Sequence, residues 1–528
     1  LEKENMSEFI DHRFIKKNKV QKRLYQELLA AEAINQDTLV VVPTGLGKTI
    51  IAVMLIAHFY DPKKSMLFMA PTRPLVSQHL EKMKDILDID SEKIVLITGL
   101  TSQPKRKELY RTDGQIICAT PQTIDNDILA GIIDKNNFNL IIFDEAHRAV
   151  GDYAYCRIAD FFKDAKKLAL TASPGSKRAK IEEVVNNLHI SKVEIRTEDD
   201  VDVRDYTQDV EIEVIHLRLD EDSQKISFLL DQFIKKKIII LRKFNFRISS
   251  NYTKREIIQL QSQILSRLSK TKDNRVYFAL SATASILKLY HAKELIESQG
   301  IHSFENYLSK LDEEARGNKA SKAIREIINS AEVAHIRKIL AEINYNCVEY
   351  SKEIKLIELV NDYAKENPES KILVFSNFRD NAGYLVDVLN KNNQIKSARF
   401  VGQASKANDK GLSQKEQLSI LSDFKAGVYN TLVCTSVGEE GLDIPSVDLV
   451  VFYDAVPSEI RAIQRRGRTG RFKVGRVVVL LNKNTIDDHY YYVSLNKEKT
   501  MKRVLKNYNT RKPPVQRKTK VQKTIADY

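Results

Sequence analysis

An α/β fold is predicted for this chain, with two parallel-sheet lobes and an all-helical domain inserted between them. Three observations predict it. Apolar runs of strand length alternate with helical patterns from about residue 38 to residue 200. Helical spacing then takes over from about 215 to 345, and strand-length runs resume between Ile372 and Leu481. Short continuous apolar runs separated by helices describe strands buried on both faces, as in a parallel sheet. The expected divisions are 1–210 for the first lobe, 211–345 for the insert, 346–500 for the second lobe and 501–528 for a basic tail.

Composition narrows the class. With 528 residues, 43% hydrophobic and 29% charged, the chain can build several packed domains. No apolar run approaches the ~18 residues of a membrane span, so no membrane partner is expected. Cys118, Cys156, Cys347 and Cys434 are scattered without a CxxC pair. That spacing reads as free thiols rather than a zinc site. No secretory pattern is read where the chain opens Leu1-Glu2-Lys3, and a cytoplasmic, nucleoid-associated setting is expected. The net charge of +14 suits a polyanionic partner.

Residues 1–38 form a helical lead-in that carries Gln26, whose amide can match the hydrogen-bonding edge of adenine. The stretch LVVVPTGLGKT, Leu39 to Thr49, follows as strand, turn and helix start, which is the order an NTP site needs. Thr44, Gly45 and Gly47 shape the turn. The two glycines let backbone N–H groups approach phosphate oxygens at the positive end of a helix. Lys48 is placed to reach the β- and γ-phosphates and Thr49 to hold Mg²⁺. Val42 stands where the GxxxxGK[ST] pattern has its first glycine.

Strand runs at Met66–Ala70, Ile94–Thr98, Ile116–Ala119, Leu140–Phe143 and Leu168–Thr171 each end in a polar cluster. Ligands of open parallel sheets bind at those carboxyl ends. Asp144 and Glu145 close the fourth run. Asp144 is expected to hold Mg²⁺ opposite Thr49, and Glu145 to polarise the attacking water.

In the insert, Lys235, Lys236, Lys237, Arg242 and Lys243 are interleaved with Phe244 and Phe246. Such a mixture is expected to grip a nucleic-acid backbone. The second lobe has strand runs at Ile372–Phe375, Arg399–Val401, Thr431–Cys434, Leu449–Phe452 and Val477–Leu481, but no second phosphate loop. It offers a dense arginine array, Gln464 to Arg471, whose forked donors suit transition-state phosphate charge. From Lys502 to Lys523 the tail is basic without an acid and reads as a disordered linker. It ends in Gln522, Ile525 and Tyr528, a spacing that resembles the short motif docking on sliding clamps. Ile525 and Tyr528 would share one side of a helical turn.

The series LGKT, APTRP, TPQT, DEAH, TAS, VFSNFRD, TSVGEEGLDIP and QRRGRTGR resembles a superfamily 2 helicase. The stretches Arg399 to Lys406 and Gly411 to Glu416, with the helical insert, narrow the resemblance to the archaeal Hef / FANCM family, in its helicase portion without an XPF-type nuclease. The resemblance implies two RecA-like lobes and a thumb-like insert. It implies Gln26 as adenine reader, Lys48 and Thr49 on phosphate and Mg²⁺, Asp144 as metal anchor and Glu145 as base. Gln464, Arg468 and Arg471 would position water and supply arginine fingers, and Asp443 would meet the ribose. Arg73, Thr98, Gly99, Thr120, Asn377 and Thr435 would touch a nucleic-acid backbone. The activity it implies is ATP-dependent translocation on branched DNA such as stalled forks. An RNA-directed ATPase and a non-catalytic DNA-remodelling scaffold stand as alternatives.

Overall fold

The computed structural model describes residues 8–206, 210–249, 252–268, 274–317, 320–343, 351–403, 409–439, 444–469 and 475–510. Asp443, Arg471, Cys347 and the clamp-like triplet Gln522, Ile525 and Tyr528 lie outside these residues.

The first sheet contains β1 (Thr38–Val41), β2 (Ser65–Met69), β3 (Ile94–Ile97), β4 (Ile116–Ala119), β5 (Phe138–Phe143), β6 (Lys166–Thr171) and β7 (Lys192–Ile195). The order is β3-β4-β2-β5-β6-β1-β7, and every pairing is parallel. Side chains alternate between two apolar layers, as the period of two requires. Val40 packs with helix Lys48–Phe59 on one face, and Leu39 and Val41 pack with Phe143 and Tyr155 on the other. The order makes β5, β6 and β1 neighbours. The turns after them, bearing Asp144, Thr171 and the phosphate loop, therefore emerge side by side.

The second sheet contains β8 (Val210–Leu217), β9 (Ile372–Phe375), β10 (Ser397–Phe400), β11 (Thr431–Cys434), β12 (Leu449–Phe452) and β13 (Gly475–Asn482), in the order β10-β11-β9-β12-β13-β8. Here the expected divisions need correction. β8 pairs in parallel with β13 from Val210–Gly475 to Leu217–Asn482, so these residues belong to the second lobe and not to the insert. The chain enters the second lobe first, leaves it from the end of β8, builds the insert and returns. The insert is thus an excursion from the second sheet rather than a spacer between lobes.

Helices Glu221–Lys243, Lys254–Leu268, Asn274–Ser298, Ile301–Arg316, Lys322–Ile328 and Ala331–Glu342 form the insert. Asp220 starts the first of them by accepting from Ser223 N at 2.8 Å. Ile226, Leu230, Phe233, Ile257, Ile286 and Phe304 lie in one buried core. Phe246 is buried in the same core, and Phe244 packs against it and stacks on Phe278 at 6.2 Å between centroids. The aromatics interleaved with the basic run therefore serve packing, and only the cations of that run remain for the expected grip on a nucleic-acid backbone.

The tail is corrected as well. Helix Ile486–Thr510 runs through the first ten of its residues. Met501 and Leu505 are buried in the core of the first lobe, beside Ile181, Val184 and Val193, and the Ser173 hydroxyl donates to the Met501 sulfur at 3.0 Å. Glu498 of this helix pairs with Arg466 of the second lobe. The helix is a strap that starts on one lobe and ends on the other.

Two measurements check this packing. Met501→Ala and Leu505→Ala should each remove about 2–5 kcal/mol of local packing. Amide exchange across 498–510 should then approach that of a frayed terminus, and unchanged protection would refute the strap. Burial raises the Cys118 thiol to about 12 and also raises Cys434. Native protein at pH 8 should therefore be alkylated at the half-buried Cys156 before either of them.

Candidate functional site

The phosphate loop follows β1. Gly45 and Gly47 adopt φ of 86° and 74°, in the left-handed region that a side chain disfavours. A Cβ on Gly47 would also stand 2.5 Å from Gln26 Nε2. Lys48 begins the following helix, and its ammonium lies 3.4 Å from the Val42 carbonyl. Gln26 is buried against the back of the loop and donates from Nε2 to the Leu46 carbonyl at 3.1 Å. Tyr25 donates to the same carbonyl at 2.7 Å, and burial raises its pKa so that it remains a neutral donor.

Thr49 and Asp144 are joined by a residue that sequence reasoning missed. His79 Nε2 is 3.0 Å from Asp144 Oδ2, and its Nδ1 is 3.4 Å from Thr49 Oγ1. An ionised carboxylate only accepts, so in a neutral ring Nε2 carries the proton and Nδ1 accepts from the hydroxyl. The one sequence signal was a polar residue on the buried face of helix Arg73–Ile86, in line with Val76, Leu80 and Met83. Tyr155 holds the Asp144 carbonyl from behind at 2.7 Å, and full burial keeps its hydroxyl protonated.

Glu145 has φ of 49°, a conformation that non-glycine residues keep only where the surroundings impose it. Its Oε2 is buried and accepts no hydrogen bond from the described residues, while His147 Nδ1 stands at ion-pair distance, 3.3 Å. A desolvated carboxylate oxygen beside a phosphate loop is placed to take a proton from water.

The second lobe reaches the same place through helix Glu459–Arg466, which Ser458 caps. Gln464, Gly467 and Arg468 line one cleft of about 740 Å³ together with Gln26, Thr44, Gly45, Gly47, Lys48, Thr49, Asp144 and Glu145. The lobes touch at Gly467. A Cβ there would overlap the Thr44 hydroxyl and lie 2.9 Å from the Thr44 Cβ. Arg468 donates to the Glu439 carbonyl at 2.6 Å.

Behind this helix lies a buried network that joins the QRRGRTGR, TSVGEEGLDIP and VFSNFRD stretches. Arg465 is fully buried and donates to Glu439 Oε1 (2.8 Å), the Asp454 carbonyl (3.0 Å) and Asn377 Oδ1 (2.9 Å). Arg461 shares Glu439 and Asn377. The Asn377 side chain, expected at a nucleic-acid backbone, is thus occupied by two arginines.

A second cleft of about 640 Å³ opens on the other side of the same helix, lined by Arg73, Arg148, Gln403, Ser436 and Arg461 among others. Gly99 lies against Arg73, whose Nη2 a Cβ would approach to 3.0 Å. Thr98, Thr120 and Thr435 are buried. Thr120 bonds Thr123 at 2.9 Å, and Leu100 N donates to Thr98 at 3.3 Å.

The insert cations are largely neutralised at home. Lys237 is buried, paired with Glu326 and set over the Phe233 ring, so its expected contact with nucleic acid is withdrawn. Lys235 pairs with Asp231 at 2.8 Å and Lys236 with Glu332. Arg242 donates to the Ser249 carbonyl at 3.0 Å, and Lys243 is exposed.

Comparison with known proteins accords with this geometry. Residues 14–176 match the family model of the type III restriction enzyme res subunit, and 351–473 match the helicase conserved C-terminal domain. Residues 223–349 match a helical-bundle model of ATP-dependent RNA helicases. The Hef helicase domain of Pyrococcus furiosus is 42% identical, covers 89% of this chain and 98% of its own, and superposes with a TM-score of 0.66. A Methanocaldococcus jannaschii protein that carries the name of an ATP-dependent RNA helicase is 42% identical over 94% of the chain. The Neurospora crassa ATP-dependent DNA helicase mph1 is 35% identical over 89%. Arabidopsis thaliana FANCM, named a DEAD-box ATP-dependent RNA helicase, is 35% identical over 87%. The chain spans 62%, 41% and 34% of the lengths of these three relatives.

Gly467→Ala tests the contact between the lobes. The methyl group should hold the arginine-bearing loop off Thr44 and lower ATP turnover by about 10²-fold, the scale of a roughly 1 Å misplacement. Binding of a fluorescent ATP analogue should persist, because Lys48 and the phosphate loop are untouched. Turnover near the unsubstituted rate would refute the contact as a requirement for catalysis.

Proposed function

The chain belongs to the Hef and FANCM family of superfamily 2 helicases, which hydrolyse ATP, and from that premise we propose that it is a motor acting on branched DNA such as a stalled replication fork. The observation that carries the reading is the cleft itself. Residues of both lobes face one volume, so hydrolysis there changes the relation between the lobes.

In this proposal Lys48 neutralises the β- and γ-phosphates and the phosphate-loop N–H groups cradle them. Glu145, buried at Oε2 beside the phosphate loop, takes the proton of the attacking water. Gln464 positions that water, and Arg468 offers forked donors to the charge developing on the transferred phosphoryl group. Arg471 and Asp443 are proposed in the finger and ribose roles. Thr49 and Asp144 are hard oxygen donors facing one cleft, and no set of three or more His, Cys, Asp or Glu side chains among the described residues forms a metal cage of its own. That donor set fits Mg²⁺, which binds through one or two protein oxygens plus phosphates and water. Bound there, Mg²⁺ would neutralise phosphate charge.

For the nucleic acid, the second cleft supplies Arg73, Arg148 and Arg461 beside the helix that carries Gln464. Such contacts go to the backbone and support movement without sequence choice. The residues proposed for that track are Arg73, Thr98, Gly99, Thr120, Asn377 and Thr435, with Lys235, Lys236, Arg242 and Lys243 as outlying contacts of the insert. Likeness to a DNA helicase favours DNA, whereas two relatives carry RNA-helicase names, which keeps RNA as the second reading. We also propose that Gln522, Ile525 and Tyr528 dock on a sliding clamp. No helix among the described residues is long and apolar enough to cross a membrane.

The deciding assay is ATP turnover on single-stranded, duplex, forked and four-way DNA and on matched RNAs, with Glu145→Gln alongside. Forked DNA should stimulate most. The variant should keep ATP binding and lose about 10²–10⁴-fold in turnover. Equal or greater stimulation by RNA would overturn the DNA reading, and normal turnover by the variant would remove the base. The clamp proposal is checked by calorimetry of a 510–528 peptide on the clamp. Heat of binding should disappear when Ile525 and Tyr528 are both Ala, and binding that survives the change ends that proposal.

A further inference from the structure

The insert does more than stand on the second lobe. The last turn of helix Asn274–Ser298 and the residue after it enter that lobe through consecutive buried polar groups. Glu297, held by Ser227 Oγ of the insert's own first helix at 2.6 Å, accepts from Ile486 N at 2.8 Å. The Ser298 carbonyl accepts from Lys352 at 3.3 Å. Gln299, 3% exposed, uses both ends of its amide. Nε2 donates to Asp454 Oδ2 at 2.6 Å, and Oε1 accepts from Ser376 Oγ at 3.0 Å and Asn381 Nδ2 at 2.8 Å.

What Gln299 touches leads to the ATP cleft in two steps. Asp454 Oδ2, held by Gln299, also accepts the backbone N–H of Asn377 at 2.7 Å. Asp454 Oδ1 lies 3.5 Å from Arg465 Nη1, and the Asp454 carbonyl accepts from the same guanidinium. Asn377 and Arg465 are bonded to each other, and Arg465 sits between Gln464 and Arg466 on the helix that delivers Gln464, Gly467 and Arg468 to the nucleotide. Asp454 is 1% exposed and Arg465 fully buried, so water cannot replace a lost partner.

We propose that Gln299 is a positioning residue for ATP hydrolysis, by which the insert sets the orientation of the arginine-bearing helix of the second lobe. Asp454 Oδ2 takes two donors, the Asn377 N–H and the Gln299 amide, and the second fixes the carboxylate's orientation toward Arg465. Gln299 is the side chain from outside the two lobes that provides it. A force on the insert, such as nucleic acid bound there, reaches Gln464 and Arg468 through three buried groups rather than through the body of the sheet. The same chain works in reverse, since coupling is reciprocal.

The test uses the full chain with Gln299→Ala, Gln299→Glu and Ser227→Ala. Turnover is read without nucleic acid and with a saturating forked DNA. Gln299→Ala should lower kcat about tenfold, the scale of a buried residue acting through its contacts, with KM for ATP within about twofold. Ser227→Ala removes a buried bond inside the insert, to the Glu297 that docks beside Gln299; that bond does not lead to Asp454, and its loss should leave kcat within about twofold. Gln299→Glu supplies the readout that loss of packing would not give. The charged groups facing this position are Asp454 and Arg465, with Lys352 and Asp487 one residue away at Ser298. Two carboxylates at this distance favour a shared proton, and a protonated Glu donates to Asp454 as the amide did. Its kcat should therefore recover as pH falls from 8 to 6, relative to the unsubstituted protein. A kcat for Gln299→Ala equal to that of the unsubstituted protein overturns the proposal. So does an equal loss in Ser227→Ala, or a Gln299→Glu variant whose ratio to the parent is flat with pH. If the parent itself is not stimulated by forked DNA, the substrate reading fails while the comparison of kcat without nucleic acid still decides Gln299.

Discussion

Arg465 is the side chain on which the geometry of the cleft depends. Its guanidinium has no exposure to solvent and lies 5.0 Å from the Phe375 ring centroid and 5.4 Å from that of Phe452. A charge so placed must have all its donors satisfied, and removing one partner of a buried pair typically costs about 3–5 kcal/mol. Glu439, Asp454 and Asn377 satisfy it from three different segments, following β11, β12 and β9. The helix carrying it can take only one position relative to the second sheet. Gln464, one residue before, and Arg468, three after, inherit that position.

The first lobe reaches the same precision by other means. There the sheet order brings three strand ends together, and small-scale locks finish the work. His79 ties Thr49 to Asp144, Tyr155 holds the Asp144 backbone, and Gln26 and Tyr25 brace the carbonyl of Leu46 inside the phosphate loop. Buried hydroxyls whose pKa is raised stay protonated over the working range and donate reliably. One lobe is preorganised by separate buried hydrogen bonds and the other by a connected ion network. The two halves meet where neither has a side chain to spare, at Gly467 and Thr44.

Much of this was legible in the residues. The apolar runs at Leu140–Phe143 and Thr431–Cys434 became buried strands because nothing but a two-sided sheet covers such a run. Lys48, Asp144, Gln464 and Arg468 could be brought to one cleft because each closes or follows a strand or helix of predictable direction. β7, reading KVEI, was missed because half of its residues are charged and a flanking strand tolerates them. β8 was placed in the insert, since its parallel pairing to β13, some 265 residues further on, leaves no local trace. Lys237 read as a free cation because its partner Glu326 lies on another helix. His79 and Gln299 escaped for the same reason, as their roles exist only in the company they keep.

The strap helix Ile486–Thr510 carries a consequence for anything attached beyond it. At 25 residues it spans about 37 Å, leaving the second lobe near Asn482 and lying down on the first with Met501 and Leu505. The chain therefore exits from the body that holds the phosphate loop, although its last strand belongs to the other. In the proposed motor cycle, whatever is fixed to the end of the strap helix stays in the frame of the first lobe. The insert, anchored through Glu297 and Gln299, travels with the second. In the proposed motor the molecule thus presents two handles, one on each lobe, whose separation reports the relation between the lobes.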